Sequence, residues 1–171
     1  MLTLGRLCLV PVSVWLILSA QWPLAFAMFA LAGVSDGLDG FIAKHYDMKT
    51  ELGAWLDPLA DKALLVSLFI SLSAVALLPL WLTILVVSRD LMIVSGVILA
   101  MLMARDMEIR PLLVSKANTT VQILLVGFVL AEQASGLHLQ LVRELLISLV
   151  VVLTLASLGV YSRAWLRHMS A

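Results

Sequence analysis

Six long apolar segments divide this chain of 171 residues, at approximately 4–20, 23–42, 53–77, 79–103, 117–132 and 143–163. Each is close to the roughly 20 residues that an α-helix needs to cross the roughly 30 Å hydrocarbon layer of a bilayer. Only 13% of the residues are charged, against about a quarter in a soluble domain. The sequence therefore predicts an all-α integral membrane protein, with one domain over 1–171 that forms a bundle of six transmembrane helices.

The basic residues predict the orientation of these helices. Eight lysines and arginines fall on one side of the predicted arrangement, and only Arg143 falls on the other. Because basic residues are enriched in cytoplasmic loops, both termini and the loops 43–52 and 104–116 are predicted to be cytoplasmic. This describes a multi-pass protein of a bacterial inner membrane or an equivalent membrane. A net charge of zero gives no indication of nucleic-acid binding.

Four aspartates flank the loop between the second and third segments. Asp36 and Asp39 are three positions apart, and Asp57 and Asp61 are four apart, so each pair would share one face of a helix. The short loop would make these helices antiparallel neighbours, which brings the four carboxylates together near the cytoplasmic end. Unpaired carboxylates inside a membrane are costly. Two divalent cations would neutralise all four, and oxygen ligands suit Mg²⁺, Mn²⁺ or Ca²⁺ rather than zinc.

Three glycines accompany the aspartates: Gly37, Gly40 and Gly53. Glycine inside a helix costs about 1 kcal/mol relative to alanine. That cost is understandable where a bulky group must approach the backbone closely. Small residues also let membrane helices pack tightly, but their position beside four aspartates favours a ligand site.

The spacing of these residues resembles the signature of the CDP-alcohol phosphatidyltransferase family, D-x2-D-G-x2-A-R-x8-G-x3-D-x3-D. The matching residues are Asp36, Asp39, Gly40, Ala43, Gly53, Asp57 and Asp61. Lys44 stands where the family has arginine, which keeps the charge but loses the bidentate geometry. The resemblance implies an enzyme that transfers a phosphatidyl group from CDP-diacylglycerol to an alcohol, and it suggests a homodimer.

The resemblance also implies individual roles for these residues. Two divalent ions, Mg²⁺ or Mn²⁺, would be held by Asp36, Asp39, Asp57 and Asp61. Asp61 would also be the general base that takes a proton from the acceptor hydroxyl. The residues expected to bind the CDP-lipid are Asp39, Gly40, Ala43, Lys44 and Gly53.

Two branches of the family share further features with this chain. Leu2–Arg6, Leu9–Pro11 and Leu56–Lys62 resemble both the phosphatidylglycerophosphate synthases and the CDP-diacylglycerol-dependent, eukaryotic-type cardiolipin synthases. The segments 88–90 and 114–119 resemble the second branch more closely. Val97 stands where the first branch usually carries a second arginine. Phosphatidylglycerol is therefore favoured as the acceptor, and glycerol 3-phosphate is the alternative.

Arg89 and Lys116 are the predicted contacts to the phosphate of the acceptor or of another lipid. A charged residue within a membrane span is a functional candidate. The alternatives are that Arg89 and Asp90 each pair with a different helix, and that Lys116 is an interfacial anchor. Adjacent positions point apart on a helix, so Arg89 is not expected to pair with Asp90.

A divalent cation transporter is the alternative from another functional class, because intramembrane carboxylates also occur in transporters. Transport would require polar residues across the whole depth of the membrane. The first, fifth and sixth spans are expected to be almost wholly apolar, and the acidic residues crowd one end. This distribution favours an enzyme.

Overall fold

The computed structural model describes the backbone of residues 2–46, 51–102 and 113–169, and the side chains within 9–35, 62–95 and 114–160. The described backbone forms six helices: α1 (Leu2–Leu18), α2 (Trp22–Tyr46), α3 (Glu51–Ala74), α4 (Leu80–Leu102), α5 (Leu113–Ser135) and α6 (Gln140–Met169). No strand occurs in these ranges. The prediction of an all-α chain with six helices in this order is confirmed, although several helix ends differ by a few residues.

Two helices end in the same hydrogen-bonded motif. After α1, Ala20 N donates to Ile17 O at 3.0 Å and Gln21 N donates to Leu16 O at 2.9 Å. After α3, Ala76 N and Leu77 N make the corresponding bonds to carbonyls of the last helical turn. This paired pattern is a Schellman motif, which requires a left-handed residue just past the helix. Alanine occupies that position in both motifs, with φ of 54° at Ala20 and 59° at Ala76.

The turn after α5 is closed by a glycine and an acidic side chain. Gly136 has a φ of +70°, which ends the helix at no steric cost. The carboxylate of Glu132 is buried, and its Oε1 accepts a hydrogen bond from Leu139 N at 3.0 Å. The carboxylate thereby satisfies a backbone donor just before α6, where helix N-termini lack internal partners.

Two helical segments in the described part of the chain are long and apolar enough to cross a membrane, Val114–Ser135 and Gln140–Val160. Shorter apolar stretches occur in other helices, at Leu9–Leu18, Trp22–Ser35 and Lys62–Ala74. Six membrane spans and cytoplasmic termini therefore stay predictions.

The helices group into two compact units. Unit 1 comprises Met1–Leu80 and Val126–Leu139, and within it α1 packs against α2 and α3. Among its described side chains, the buried hydrophobic residues are Leu16, Ile17, Ala25, Leu65, Leu68, Phe69, Leu72, Leu78, Val126, Val129 and Leu130. This is an aliphatic interior of the usual kind.

A glycine in unit 1 lies against an aromatic ring. A Cβ atom added at Gly127 would lie 3.0 Å from Cε1 of Phe29. That distance is tighter than nine in ten real Cβ contacts. The absence of a side chain at Gly127 therefore allows the Phe29 ring to approach the α5 backbone.

Unit 2 comprises Trp81–Leu125 and Gln140–Ala171, and the buried residues among its described side chains are largely polar. They are Thr83, Arg89, Asp90, Asn118, Gln122, Thr154 and Ser157, together with Leu82, Val86, Leu125 and Val150. The exposed side chains include Leu91, Met92, Leu124, Leu145, Val152 and Leu155. A helix at the surface of a soluble protein shows the reverse distribution. Polar residues inside and apolar residues outside are typical of helices in lipid, which supports the membrane prediction independently of helix length.

Candidate functional site

The four predicted metal-binding aspartates lie within two helices. α2 includes Asp36 and Asp39, and α3 includes Asp57 and Asp61. Their side chains lie outside the described residues, as do the side chains of Ala43 and Lys44 and the surroundings of Gly40 and Gly53. The predicted contacts of these residues to metal and CDP-lipid therefore stay predictions.

The chemistry of the aspartate set suits a hard divalent cation. Residues three or four positions apart are neighbours on a helix surface, and the helix bounds include both members of each pair. Carboxylates supply only oxygen ligands, which Mg²⁺ and Mn²⁺ prefer. Among the side chains that the structure does describe, no three His, Cys, Asp or Glu residues form a group that could hold a metal.

Arg89 is the central residue of a second polar site, in unit 2. Its side chain is 1% exposed. Nε donates to Ser157 Oγ at 3.2 Å, and Nη2 donates to the same oxygen at 2.8 Å. Nη2 also donates to Ser115 Oγ at 2.6 Å. Through these hydrogen bonds, one guanidinium group on α4 links α5 and α6.

Arg89 also forms an ion pair with Asp90, from Nη1 to Oδ1 at 2.5 Å. The prediction that these two residues would not pair is therefore wrong. The Cβ atoms of adjacent helical residues point apart, but the arginine side chain is long and flexible enough to reach its neighbour. The alternative had Arg89 and Asp90 each pairing with a different helix. Its part on Arg89, contact with other helices, is confirmed, whereas pairing of Asp90 with another helix and a role of Arg89 at an acceptor phosphate stay predictions.

The polar residues of α5 and α6 face each other in an antiparallel register. Ser115 and Ser157 share Nη2 of Arg89. Asn118 is three residues after Ser115 on α5, and Thr154 is three residues before Ser157 on α6. Thr154 Oγ1 donates a hydrogen bond to Asn118 Oδ1 at 3.1 Å. We call the seven residues Arg89, Asp90, Ser115, Asn118, Gln122, Thr154 and Ser157 the polar cluster.

Two amide nitrogens of the polar cluster lack hydrogen-bond partners among the described residues, Asn118 Nδ2 and Gln122 Nε2. Asn118 is 0% exposed and Gln122 is 1% exposed. Continuing the register by one turn places Gln122 level with Val150 on α6. Valine offers no side-chain acceptor, which accounts for the absence of a partner on α6.

The sequence reasoning missed most of this cluster. It expected the fifth and sixth spans to be almost wholly apolar, and this expectation is wrong, because both helices bury polar side chains. The available signal was the spacing of Ser115, Asn118 and Gln122, at three and then four residues, which predicts one helix face. The distribution of polar residues therefore no longer argues against transport, and the argument for an enzyme depends on the family.

The two predicted cationic contacts differ in their surroundings. Arg89 is enclosed by the polar cluster, whereas Lys116 is exposed near the start of α5. The backbone carbonyl of Lys116 accepts a hydrogen bond from Thr120 Oγ1 at 3.0 Å. The exposed position is compatible both with a lipid-phosphate contact and with an interfacial anchor.

Comparisons with known proteins identify the family. Residues 1–161 match the family model for CDP-alcohol phosphatidyltransferase. The chain is 37% identical over 161 residues to cardiolipin synthase (CMP-forming) of Rattus norvegicus. The aligned region covers 82% of this chain and 53% of the relative. The human protein of the same name is 35% identical over 161 residues, with 82% and 54% coverage. A probable phosphatidylglycerophosphate synthase of Mycobacterium tuberculosis is 36% identical over 143 residues, with 80% and 67% coverage.

The matched region begins at the first residue and includes all four aspartates of the signature. The chain spans about half the length of the rat and human relatives. The resemblance predicted from the aspartate spacing is confirmed: the chain belongs to the CDP-alcohol phosphatidyltransferase family.

Proposed function

We propose that this chain transfers a phosphatidyl group from CDP-diacylglycerol to phosphatidylglycerol, giving cardiolipin and CMP. The complete aspartate signature, carried by α2 and α3 in a member of this family, is the observation that supports a phosphatidyl transfer. Rat and human relatives named cardiolipin synthase (CMP-forming) support the product.

The reaction requires a base and a bound donor. Asp61 accepts the proton of the acceptor hydroxyl, and the resulting oxygen attacks the phosphorus that carries diacylglycerol. A bond from that phosphorus to the new oxygen forms, the bond to the pyrophosphate bridge breaks, and CMP leaves with the electron pair. Gly40 and Gly53 leave room for the nucleotide, and Lys44 balances part of the charge of the pyrophosphate.

Divalent ions are the cofactor that the aspartates fit. Asp36, Asp39, Asp57 and Asp61 would hold Mg²⁺ or Mn²⁺, which would neutralise the pyrophosphate and stabilise the leaving group. Through these ions the carboxylates would also position the donor, since four negative charges in lipid are stable only with a counter-charge.

The charge of the polar cluster supports phosphatidylglycerol as the acceptor. Arg89 and Asp90 are its only ionisable members, and they form an ion pair. The cluster therefore offers no excess positive charge for the nearly dianionic phosphate of glycerol 3-phosphate. Phosphatidylglycerol has one phosphodiester charge, which the exposed ammonium group of Lys116 can meet, and Arg89 would contribute hydrogen-bond donors to that phosphate rather than net charge.

Glycerol 3-phosphate is the second candidate acceptor, supported by the similarity to the mycobacterial relative.

We also propose that all six helices span the membrane, with the aspartates on the cytoplasmic side, and that the chain forms a homodimer. The first two of these proposals rest on the six apolar segments and on the asymmetry of the basic residues.

A product assay tests the proposed function. Purified protein in detergent is given CDP-diacylglycerol with phosphatidylglycerol, glycerol 3-phosphate, inositol phosphate or serine in parallel reactions. We expect cardiolipin and CMP, with little product from the other acceptors. Efficient formation of phosphatidylglycerophosphate without cardiolipin would change the acceptor, and no CMP release with any of these acceptors would contradict the proposed activity.

A further inference from the structure

Unpaired polar atoms at full burial require a physical reason. Leaving a buried donor without a partner costs about 1–3 kcal/mol, and most buried polar groups are paired. Asn118 Nδ2 and Gln122 Nε2 are both unpaired among the described residues. Flipping the Asn118 side-chain amide, so that Oδ1 and Nδ2 change places, would still leave one of these two atoms without a partner, because Thr154 contacts only one of them.

These two amides share one face of α5 with Ser115. Gln122 is seven residues beyond Ser115, a distance of about 10 Å along the helix axis. Burial increases along this face, from half-buried Ser115 to fully buried Asn118 and Gln122. The face therefore leads from the more accessible end of the polar cluster towards two unpaired hydrogen-bond donors.

The chemistry of this face selects the kind of group that could bind. Primary amides are neutral donors, and the charge of Arg89 is balanced by Asp90. A dianion would remain uncompensated there, whereas the hydroxyl and ester oxygens of a headgroup need only neutral donors.

We infer that Asn118 and Gln122 form a subsite that donates hydrogen bonds to the headgroup oxygens of phosphatidylglycerol. This inference rests on the proposed function, and it specifies how the acceptor is recognised. The amides pay a desolvation cost in the free protein, and ligand binding removes that cost. The subsite distinguishes a lipid headgroup rich in uncharged oxygens from a compact dianion.

The test replaces the amides with apolar side chains of similar shape. Gln122→Met is the main variant, and Asn118→Leu with Thr154→Val is the second, because the paired change leaves no hydroxyl without its amide. Thr120→Val is the control, since this exposed hydroxyl lies on the same helix outside the polar cluster and donates a hydrogen bond to the backbone carbonyl of Lys116. The readouts are KM for each substrate and the unfolding midpoint in micelles containing phosphatidylglycerol or phosphatidylcholine.

For Gln122→Met we expect KM for phosphatidylglycerol to rise about 5–10-fold, as the loss of a neutral hydrogen bond predicts. KM for CDP-diacylglycerol should not change. The midpoint in phosphatidylcholine should stay the same or rise, because a costly buried donor is gone. The additional stabilisation of the wild-type protein by phosphatidylglycerol should be reduced in the variant.

Two results would overturn the subsite. The first is an unchanged KM for phosphatidylglycerol, which would mean that the amides bind only water or nothing. The second is a lower midpoint in phosphatidylcholine together with losses for both substrates, which would mean a purely structural role. If the wild-type protein makes no cardiolipin, the proposed function fails. The subsite is then supported if phosphatidylglycerol stabilises only the wild-type protein, and it is overturned if the lipid stabilises both proteins equally or neither.

Discussion

Arg89 and Ser157 are joined by two hydrogen bonds to a single hydroxyl oxygen, although they are 68 positions apart in the chain. The serine lies on α6 and the arginine on α4, and both are buried. A charged group inside an apolar protein is stable only when its donors are satisfied. Ser157 therefore accounts for a large part of the solvation that Arg89 would otherwise receive from water.

Removing that hydroxyl should destabilise the fold measurably. We expect Ser157→Ala to lower the free energy of unfolding by about 1–3 kcal/mol, because Nε and part of Nη2 lose their acceptor. Ser115→Ala should cost less, since Nη2 keeps its bond to Ser157. Unfolding midpoints in detergent measure both effects. Ser88→Ala is the control, because that exposed hydroxyl bonds to a carbonyl of its own helix. A smaller loss for Ser157→Ala than for Ser115→Ala would contradict this account.

The ends of α3 and α5 give a pair of opposite predictions. Ala76 is exposed and has a left-handed backbone, a conformation that costs an L-residue about 1–2 kcal/mol. Ala76→Gly should therefore stabilise the protein by up to about 1 kcal/mol, after the greater flexibility of unfolded glycine is subtracted.

The reverse substitution, Gly136→Ala, should destabilise the protein. An added Cβ would have no neighbour within 4 Å, so only the φ of +70° opposes it. Thermal unfolding of both variants checks the sign of each effect. A lower midpoint for Ala76→Gly, or an unchanged one for Gly136→Ala, would show that these backbone conformations relax without cost.

The contact between Gly127 and Phe29 predicts a strong dependence on side-chain size. Gly127→Ala requires the ring to move by a few tenths of an ångström. Gly127→Leu cannot be accommodated in this way and should cost about 1–3 kcal/mol through overpacking. Gly159→Leu is the matched control, since Gly159 is exposed inside α6 and nothing lies within 4 Å of its added Cβ. Equal midpoints for Gly127→Leu and Gly159→Leu would rule out the close contact.

The sequence predicted the helices well because each apolar segment has the length of one helix and its breaks contain turn residues such as Pro79. It also predicted the family, since aspartates at fixed spacings are visible without a structure. It could not predict the polar cluster in full. The partners of Asn118 and Arg89 depend on the register between α5 and α6 and on the reach of a long side chain. Neither property is contained in the periodicity of a single helix.

Chelation should remove activity if the aspartates hold divalent ions. We expect EDTA to abolish CMP release from CDP-diacylglycerol, and Mg²⁺ or Mn²⁺ in excess to restore it, because four carboxylates cannot bind a pyrophosphate without counter-charge. The measurement is the initial rate before and after addition of metal. Undiminished turnover in chelator would exclude the divalent-ion proposal.

Substitution of individual aspartates should separate the base from the other ligands. In Asp61→Asn the amide cannot accept a proton from the acceptor hydroxyl, so the rate should fall by several orders of magnitude. Some CDP-diacylglycerol binding should remain, because Asp36, Asp39 and Asp57 are intact. Asp36→Asn and Asp57→Asn should weaken donor binding as well as rate. Titration with CDP-diacylglycerol measures donor binding, and single-turnover kinetics measure the rate of transfer. Together they distinguish loss of the general base from loss of a metal ligand. Near-normal turnover in Asp61→Asn would assign the base to another residue, whereas loss of donor binding equal to that of Asp36→Asn would make Asp61 primarily a metal ligand.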